Sequence, residues 1–248
     1  TRGCTVTATA WGPGADAALD AAPGLAGAED DVAGFDPAHP VVAELWRRQP
    51  GLRIPRSGAV VEALVPAVLE QRVTGRQARR SYVALVRALG EPAPGPAGEA
   101  GMLVPPPPEA WAGLPSWTWH RFGVERRRAD TVGRACRRAA ALERLAALPP
   151  AEAAAGLRAV AGVGAWTAAE VASRALGDAD AVPVGDYHLP HQAAWALAGE
   201  PRGTDERMLE LLAPFTGHRG RVLRLIEAGR AGPPRLGPRA AIPRIAAL

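Results

Sequence analysis

The spacing of hydrophobic and polar residues changes near Pro40 and divides the chain into a short first part and a long second part. Residues 1–11 alternate with a period of two, which predicts a β-strand. Residues 12–38 are rich in Gly, Ala, Asp and Pro and indicate loops with one short helix at about 15–21. From Pro40 onward, apolar residues recur every three or four positions, which predicts a mainly α-helical protein.

Proline and glycine separate the predicted helices of this second part. The segment 90–108 is crowded with both residues, so we expect an exposed loop without regular structure. Residues 124–148 are expected to form one long helix with seven arginines, which either form a solvated face or contact phosphates. Asp186 is expected to cap the helix that follows it. Further helices are expected at about residues 40–46, 57–70, 74–89, 150–159, 165–176, 204–213 and 218–228.

The charge balance suits a polyanionic partner but does not establish one. The chain has 248 residues, a formal net charge of +4 and a pI of about 10.0. All 29 basic residues are arginine, so the sequence contains no lysine amine that could form a Schiff base. The two cysteines, Cys4 and Cys136, are far apart, which excludes a four-cysteine iron–sulfur cluster and a cysteine-rich zinc site but leaves a disulfide open.

The sequence shows neither a signal-peptide pattern nor an apolar run as long as about 18 residues. We therefore expect a cytoplasmic protein without a membrane partner. Because the strand predicted at residues 1–11 has no obvious pairing partner, we also expect the natural chain to begin upstream of Thr1.

The most informative motif is Gly162-Val163-Gly164, which lies between two predicted helices. The glycines allow a tight turn and leave no side chain between backbone N–H groups and an approaching anion. Because the second helix begins directly after the turn, its free N–H groups and positive dipole end favour a phosphate. Val163 can point inward and anchor the turn in the core. An ordinary Gly-linked helical hairpin is the alternative interpretation.

The longer pattern around this turn resembles the hairpin of the helix-hairpin-helix DNA glycosylases. The pattern is L-x-x-V-x-G-V-G-x-W-T-A over residues 157–168. The resemblance covers about residues 40–230, and it implies that the hairpin, with Thr167, grips the DNA backbone without reading sequence. Some members of this superfamily also hold a monovalent cation on hairpin carbonyls, which would fall here on Ala159 or Gly162.

The same resemblance implies a catalytic aspartate about twenty residues after the hairpin. Asp186 lies 22 residues after Gly164, in a Pro-x-x-Asp-Tyr segment that is similar to the 3-methyladenine DNA glycosylase II branch. Asp178 and Asp180 fit this position less well because they lie in the preceding loop. A plain helix cap is the alternative role for Asp186, and the two roles are compatible because a helix N-terminus stabilises a carboxylate.

A pocket for a flipped base is implied as well, with walls that stack on the base. Trp166 matches an active-site tryptophan of the family, although a core position is the alternative for it. Tyr187 is a second candidate wall, and Trp117 and Trp119 are further candidates because they occupy alternate positions. Glu170 stands one helical turn after Trp166, where the resemblance implies an aromatic residue; it would attract cationic bases, pair with an arginine or face solvent.

Another segment resembles the family's wedge loop, whose side chain fills the gap that a flipped nucleotide leaves. In the family a helix ends in Gln directly before the wedge, and Gln71 matches this pattern. The wedge position falls on Arg72, where the related enzymes often have an apolar residue. Arg72 would either stack in the gap and pair with phosphate, or lie on the surface at the helix end.

These residues together predict a mainly α helix-hairpin-helix DNA glycosylase fold, in which two helical subdomains flank a cleft and a short β-containing N-terminal remnant precedes them. We expect the remnant over residues 1–38 and the helical glycosylase domain over 39–232, with the helix-hairpin-helix at about 151–176. A Pro/Arg-rich tail is expected over 233–248.

The predicted function is that of a monofunctional, nucleoid-associated glycosylase that acts as a monomer on double-stranded DNA containing a damaged base. It would flip out and hydrolyse alkylated purines such as 3-methyladenine and 7-methylguanine. Asp186 would stabilise positive charge on the sugar and activate water, with no metal or organic cofactor in the chemistry. The alternatives are a glycosylase of the same fold for deaminated or oxidised bases, and a non-catalytic helix-hairpin-helix module that binds DNA.

Overall fold

The computed structural model describes residues 5–234, and this part of the chain is almost entirely helical. It contains fourteen α-helices and one two-stranded antiparallel sheet. The helices are α1 Ala15–Leu25, α2 Pro40–Arg48, α3 Val60–Leu69, α4 Gly75–Leu89, α5 Pro96–Glu99, α6 Pro108–Gly113, α7 Ser116–Arg121, α8 Arg126–Cys136, α9 Ala139–Glu143, α10 Pro150–Arg158, α11 Ala165–Val171, α12 Leu189–Ala198, α13 Asp205–Leu212 and α14 Arg219–Ala228. Strands β1 Glu91–Pro92 and β2 Leu103–Val104 form the sheet, 3-10 turns span Arg144–Ala147 and Ala213–Phe215, and a π-helical segment, Ala172–Leu176, continues α11.

Two separate hydrophobic cores divide the helices into two subdomains. The first core is built from α3, α4 and α6 to α11, with Leu64, Leu85 and Leu157 fully buried in it. The second is built from α2, α12, α13 and α14 around Leu212 and Leu225. Each such leucine contributes about 1.5–3 kcal/mol through burial. Since α2 precedes the first subdomain in sequence but packs on α12 and α14, the chain leaves the second subdomain and later returns to it.

Two tryptophans of the short helices α6 and α7 belong to the first core. Trp111 and Trp119 stack with their ring centroids 5.5 Å apart, and Tyr82 of α4 stacks on Trp111 at 6.5 Å. Both indoles are almost completely buried. Aromatic pairs of this kind add about 0.5–1.5 kcal/mol beyond the area they bury, so the stack holds the two short helices against α4.

A buried ion pair attaches the N-terminal segment to α14. Arg221 donates from both terminal nitrogens to the carboxylate of Asp30, at 2.7 and 2.6 Å, and neither side chain has appreciable exposed surface. Arg221 also bonds to the carbonyl of Asp31 and to the ring of His218. The amide of Ile54 donates to the same Asp30 carboxylate. Every nitrogen of the guanidinium therefore has an acceptor, which is what a charge without access to water requires.

The strand predicted over residues 1–11 is not found in the part of it that the structure describes. Residues 1–4 lie outside the described part of the chain, and residues 5–11 form no strand. The one sheet within residues 5–234 pairs β1 with β2, so these residues have no ladder to join. The predicted 233–248 tail is likewise outside the description from residue 235 onward, as is Cys4, while Cys136 is a buried free cysteine.

Two elements of the first subdomain also differ from prediction. The supposed loop 90–108 contains the β1–β2 hairpin closed around α5, in which Glu91 pairs with Val104. The expected helix over 124–148 is broken after α8, because Arg138 adopts a non-helical conformation. This break turns Leu142 of α9 into the first core, so burial of an apolar side chain outweighs continuity of the helix. No helix in the described part is long and apolar enough to cross a bilayer.

Candidate functional site

The glycine turn between α10 and α11 presents backbone N–H groups to solvent. Gly162 has a φ of +98°, and a Cβ there would lie 2.2 Å from Oγ1 of Thr131, so this position requires glycine. Val163 is buried, and its N–H donates to the carbonyl of Val160, which closes the turn. The exposed N–H groups of Gly162 and Gly164 donate to no acceptor within residues 5–234. The turn therefore has donors available for an external anion.

The carbonyl side of the same turn is held by the protein. Gln71, in the loop after α3, donates its amide to the Gly162 carbonyl at 3.0 Å and to the Thr167 hydroxyl at 2.8 Å. Arg134 of α8 donates to the Ala161 carbonyl at 2.9 Å. These bonds occupy the carbonyls of Ala161 and Gly162 and leave the N–H groups of Gly162 and Gly164 available. The α3–α4 loop and the hairpin are thereby fixed to each other.

Arg72 follows Gln71 directly and occupies a strained backbone conformation. Its φ of 57° lies in the left-handed region, which residues other than glycine adopt at a cost of about 1–3 kcal/mol. The side chain is exposed. Such strain commonly marks a functional loop, and here the loop is the one where the sequence predicts a wedge.

Arg128 supports the loop from inside. It is 3% exposed and donates from Nη1 to the carbonyl of Leu69, the last residue of α3, at 2.7 Å. Arg128 and Arg134 thus serve the α3–α4 loop and the hairpin, so the predicted row of seven arginines is not one uniform solvated face.

Asp186 lies in the loop that joins the two subdomains, immediately before α12. Its Oδ1 accepts from the N–H groups of His188 and Leu189, at 2.7 and 2.9 Å, which caps the helix. Its Oδ2 accepts from the indole N–H of Trp166 at 3.0 Å. Both carboxylate oxygens are therefore hydrogen-bonded, which holds the group in one orientation.

A cleft of about 200 Å³ opens between the two subdomains at this carboxylate. Trp166 and Glu170 of α11 line one wall, and α14 lines the opposite wall. The complete lining is Glu70, Trp166, Glu170, Ser173, Arg174, Ala181, Pro183, Asp186, Leu189, Gly220, Leu223, Arg224 and Glu227. The hairpin reaches this cleft through Trp166, the second residue of α11.

The cleft carries an excess of negative charge. Its four carboxylates face two guanidiniums, which leaves a formal excess of two negative charges. Glu170 accepts from Arg174 at 2.5 Å, and Glu70 lies 3.6 Å from the same guanidinium. Burial raises the pKa of the Glu170 carboxyl, while the charges of Arg174 and Arg224 work in the opposite direction. The site therefore favours a cationic ligand over a neutral or anionic one.

Solved structures with a similar arrangement of helices include several DNA glycosylases. A 3-methyladenine DNA glycosylase from Archaeoglobus fulgidus superposes with a TM-score of 0.65 and 21% identity, over 77% of this chain and 65% of that one. An 8-oxoguanine glycosylase/lyase from Clostridium acetobutylicum gives 0.68 and 14%, over 86% and 75%. A 3-methyladenine DNA glycosylase from Schizosaccharomyces pombe, in complex with abasic DNA, gives 0.60 and 17%, over 85% and 97%. The chain has the helix-hairpin-helix DNA glycosylase fold. No protein-family model and no curated protein sequence matches it.

The predicted fold class is confirmed. The DNA glycosylase fold also brings together some of the predicted site residues. Asp186, Trp166 and Glu170 meet in the cleft, and Glu170 both faces the cleft and pairs with an arginine. Gln71 and Thr167 meet at the hairpin. The chain spans 65% of the length of the Archaeoglobus fulgidus protein, so the overlap does not extend to all of that protein.

Three predicted pocket residues lie elsewhere in the glycosylase fold. Trp119 is in the first core, where stacking on Trp111 buries it. Trp117, on the opposite side of the same short helix, is 72% exposed. Tyr187 is 80% exposed and packs edge-on against His188. None of the three lines the cleft.

Four charged residues of the cleft were not predicted as site residues: Glu70, Arg174, Arg224 and Glu227. They come from α14, the end of α3 and the π-helical segment, and no local motif connects them. Only the packing of the two subdomains brings them together. The sequence signal for two of them is the spacing of three residues between Arg224 and Glu227 on α14. This spacing is equally typical of a solvated helix face, so it does not indicate a site.

No group of three or more His, Cys, Asp or Glu side chains placed to hold a metal occurs within residues 5–234. Of the two carbonyls suggested for a monovalent cation, that of Gly162 already accepts the Gln71 amide. Cation binding at the hairpin stays a prediction.

Gly164 offers a direct test of the hairpin as a phosphate site. A Cβ at this position would meet nothing within 4 Å, so a side chain does not disturb the fold. We expect Gly164→Asp to weaken binding to damaged and undamaged duplexes alike by about 5- to 30-fold, because it places a negative charge where a phosphate would bind. Fluorescence anisotropy with labelled duplexes measures this. Gly164→Ala is the matched control, and an Asp variant that binds like it would argue against the site.

Proposed function

We propose that this protein is a monofunctional DNA glycosylase that excises alkylated purines from double-stranded DNA. One observation carries the proposal: Asp186 is fixed by three hydrogen bonds in a cleft that lies between two subdomains and bears excess negative charge. Mere binding to the DNA backbone does not call for such a carboxylate. The hairpin with outward N–H groups provides the surface on which the duplex would rest.

The chemistry follows from the charge on the substrate. An alkylated purine such as 3-methyladenine or 7-methylguanine carries positive charge while attached to the sugar and departs readily. As the N-glycosidic bond breaks, its electrons go to the base and positive charge develops on the sugar, as in glycoside hydrolysis. A water molecule then forms a bond to C1′ and loses a proton. Asp186 stabilises the sugar cation and orients or deprotonates this water.

The remaining cleft residues suit a cationic base. The indole of Trp166 offers an electron-rich face on which such a base stacks, worth about 0.5–2 kcal/mol. The formal excess of two negative charges adds electrostatic attraction. The proteins from Archaeoglobus fulgidus and Schizosaccharomyces pombe are described as 3-methyladenine glycosylases, which agrees with this substrate class.

The proposal is tested by incubating the protein with duplex DNA methylated by a simple alkylating agent and separating the released bases by chromatography. We expect release of methylated purines and an unbroken strand. DNA binding without release of any methylated base would instead favour a non-catalytic DNA-binding module.

A second test concerns the monofunctional mechanism. Because the 248 residues contain no lysine, no side chain can form an imine with the abasic sugar. We expect borohydride to trap no covalent adduct between the protein and alkylated DNA, as judged by gel electrophoresis. A known glycosylase/lyase serves as the positive control. An adduct that maps to a side chain would refute the monofunctional assignment.

A further inference from the structure

Two charged residues on α14 line the cleft, and their side chains make no hydrogen bond within residues 5–234. Arg224 and Glu227 lie three residues apart on this helix, on the wall opposite Trp166. Their closest approach is 3.7 Å, from Nη1 to Oε2, which is too long for a hydrogen bond. Neither side chain bonds to any other residue of the described 5–234 segment. Each is a little over two-fifths exposed, so a ligand in the cleft can reach both.

The position of Glu227 makes it part of the same site as Asp186. Burial raises the pKa of the Glu227 carboxyl, the charge of Arg224 lowers it, and the charge of Asp186 raises it further. Asp186 and Glu227 both line the same cleft. No hydrogen bond from residues 5–234 occupies the Glu227 carboxylate, so its oxygens can accept N–H groups from a ligand.

Purine bases differ in the donors they offer to such a pair. The Watson–Crick edge of guanine places two adjacent donors, N1–H and N2–H, beside the acceptor O6. A carboxylate can accept both N–H groups at once, and a neighbouring guanidinium can donate to O6. Adenine has a single amino group beside the acceptor N1, so it offers a carboxylate only one donor. Flipped bases are commonly identified through this edge.

We propose that Arg224 and Glu227 recognise the Watson–Crick edge of guanine, so that 7-alkylguanines are the preferred substrate class of this site. The proposal rests on the proposed function, since it concerns the base that the glycosylase accepts. Glu227 accepts from N1–H and N2–H, and Arg224 donates to O6. The excess negative charge of the cleft distinguishes the cationic 7-alkylguanine from unmodified guanine, which presents the same edge.

The test compares release of 7-methylguanine and of 3-methyladenine from the same methylated duplex under single-turnover conditions. Glu227→Gln replaces one acceptor with a donor, a pattern that fits adenine rather than guanine. We expect the variant to lose about 10- to 100-fold in the rate of 7-methylguanine release and much less in the rate of 3-methyladenine release, for which only the charge of Glu227 is lost. Glu210→Gln is the matched control, because Glu210 is exposed on α13 outside the cleft. It should alter neither rate.

A second measurement keeps the inference separate from the excision chemistry. Saturation-transfer NMR with free 7-methylguanine and free 3-methyladenine reports binding without any bond breaking. Glu227→Gln should selectively weaken the binding of 7-methylguanine. Equal loss for both bases, in release or in binding, would overturn the role of Glu227. Absence of release with selective binding retained would instead contradict the proposed function and support the edge recognition.

Discussion

Replacing Asp186 with asparagine is expected to slow the release of alkylated bases about 10²- to 10³-fold while leaving duplex binding unchanged. Asparagine keeps an oxygen that accepts from the N–H groups of His188 and Leu189, so the start of α12 is retained. What it removes is the negative charge that we propose acts on the sugar of the flipped nucleotide. A preorganised group of this kind acts on charge that develops in the transition state, so the loss falls on the rate of release rather than on affinity.

Asp178 provides the matched control for this experiment. It belongs to the preceding loop, does not line the cleft, and its carboxylate accepts from local backbone N–H groups, those of Asp180 and Ala181. Burial raises the pKa of its carboxyl, and asparagine keeps an oxygen that can accept from these local N–H groups. Single-turnover release rates and anisotropy titrations on both variants separate chemistry from binding. A fully active Asp186→Asn protein would exclude this carboxylate from the reaction.

The largest effect on stability is expected at the buried ion pair between Asp30 and Arg221. Arg221→Met leaves a carboxylate that has lost all access to water with only one donor, the amide of Ile54. Removing one partner of such a pair costs about 3–5 kcal/mol of unfolding free energy. For a domain of this size the melting temperature should fall by roughly 6–20 °C. Denaturant titration and thermal melts followed by circular dichroism measure the two quantities.

Two comparisons show whether the loss comes from the unpaired charge. Arg126→Met removes an exposed partner of Asp130 and should cost no more than about 0.5 kcal/mol. Adding Asp30→Asn to Arg221→Met neutralises the orphaned charge and should recover part of the stability. If Arg221→Met alone has the same melting temperature as Arg126→Met, the ion pair is not required for folding.

The pH dependence of this contribution follows from the pKa of Asp30. Burial alone would raise that pKa, but the hydrogen bonds and charge of Arg221 and the bond from Ile54 outweigh burial and lower it. A carboxyl whose pKa is lower in the folded state stabilises the fold above its unfolded pKa. The difference in unfolding free energy between wild type and Arg221→Met should therefore be largest near neutral pH. It should shrink as the pH falls below about 4.

Local features of the site could be predicted because they depend on short stretches of chain. The turn at Gly162–Gly164 follows from the conformational freedom of glycine, and the cap formed by Asp186 follows from a carboxylate before a helix. Trp117 and Trp119 show the limit of this approach. Tryptophan suits a base pocket and a core equally well in sequence, and only packing on Trp111 decided that Trp119 is buried in the core.

The sequence by itself thus determined the helical class, the glycine hairpin and the carboxylate that follows it, since each arises from backbone conformation and spacing within a few turns of chain. Tertiary structure alone decided that α2 joins α14, that Asp30 meets Arg221 across 191 positions, and that Arg224 and Glu227 face Asp186. The physical reason is that these contacts form when two apolar cores close against each other. No periodicity along the chain records which helix faces will then meet.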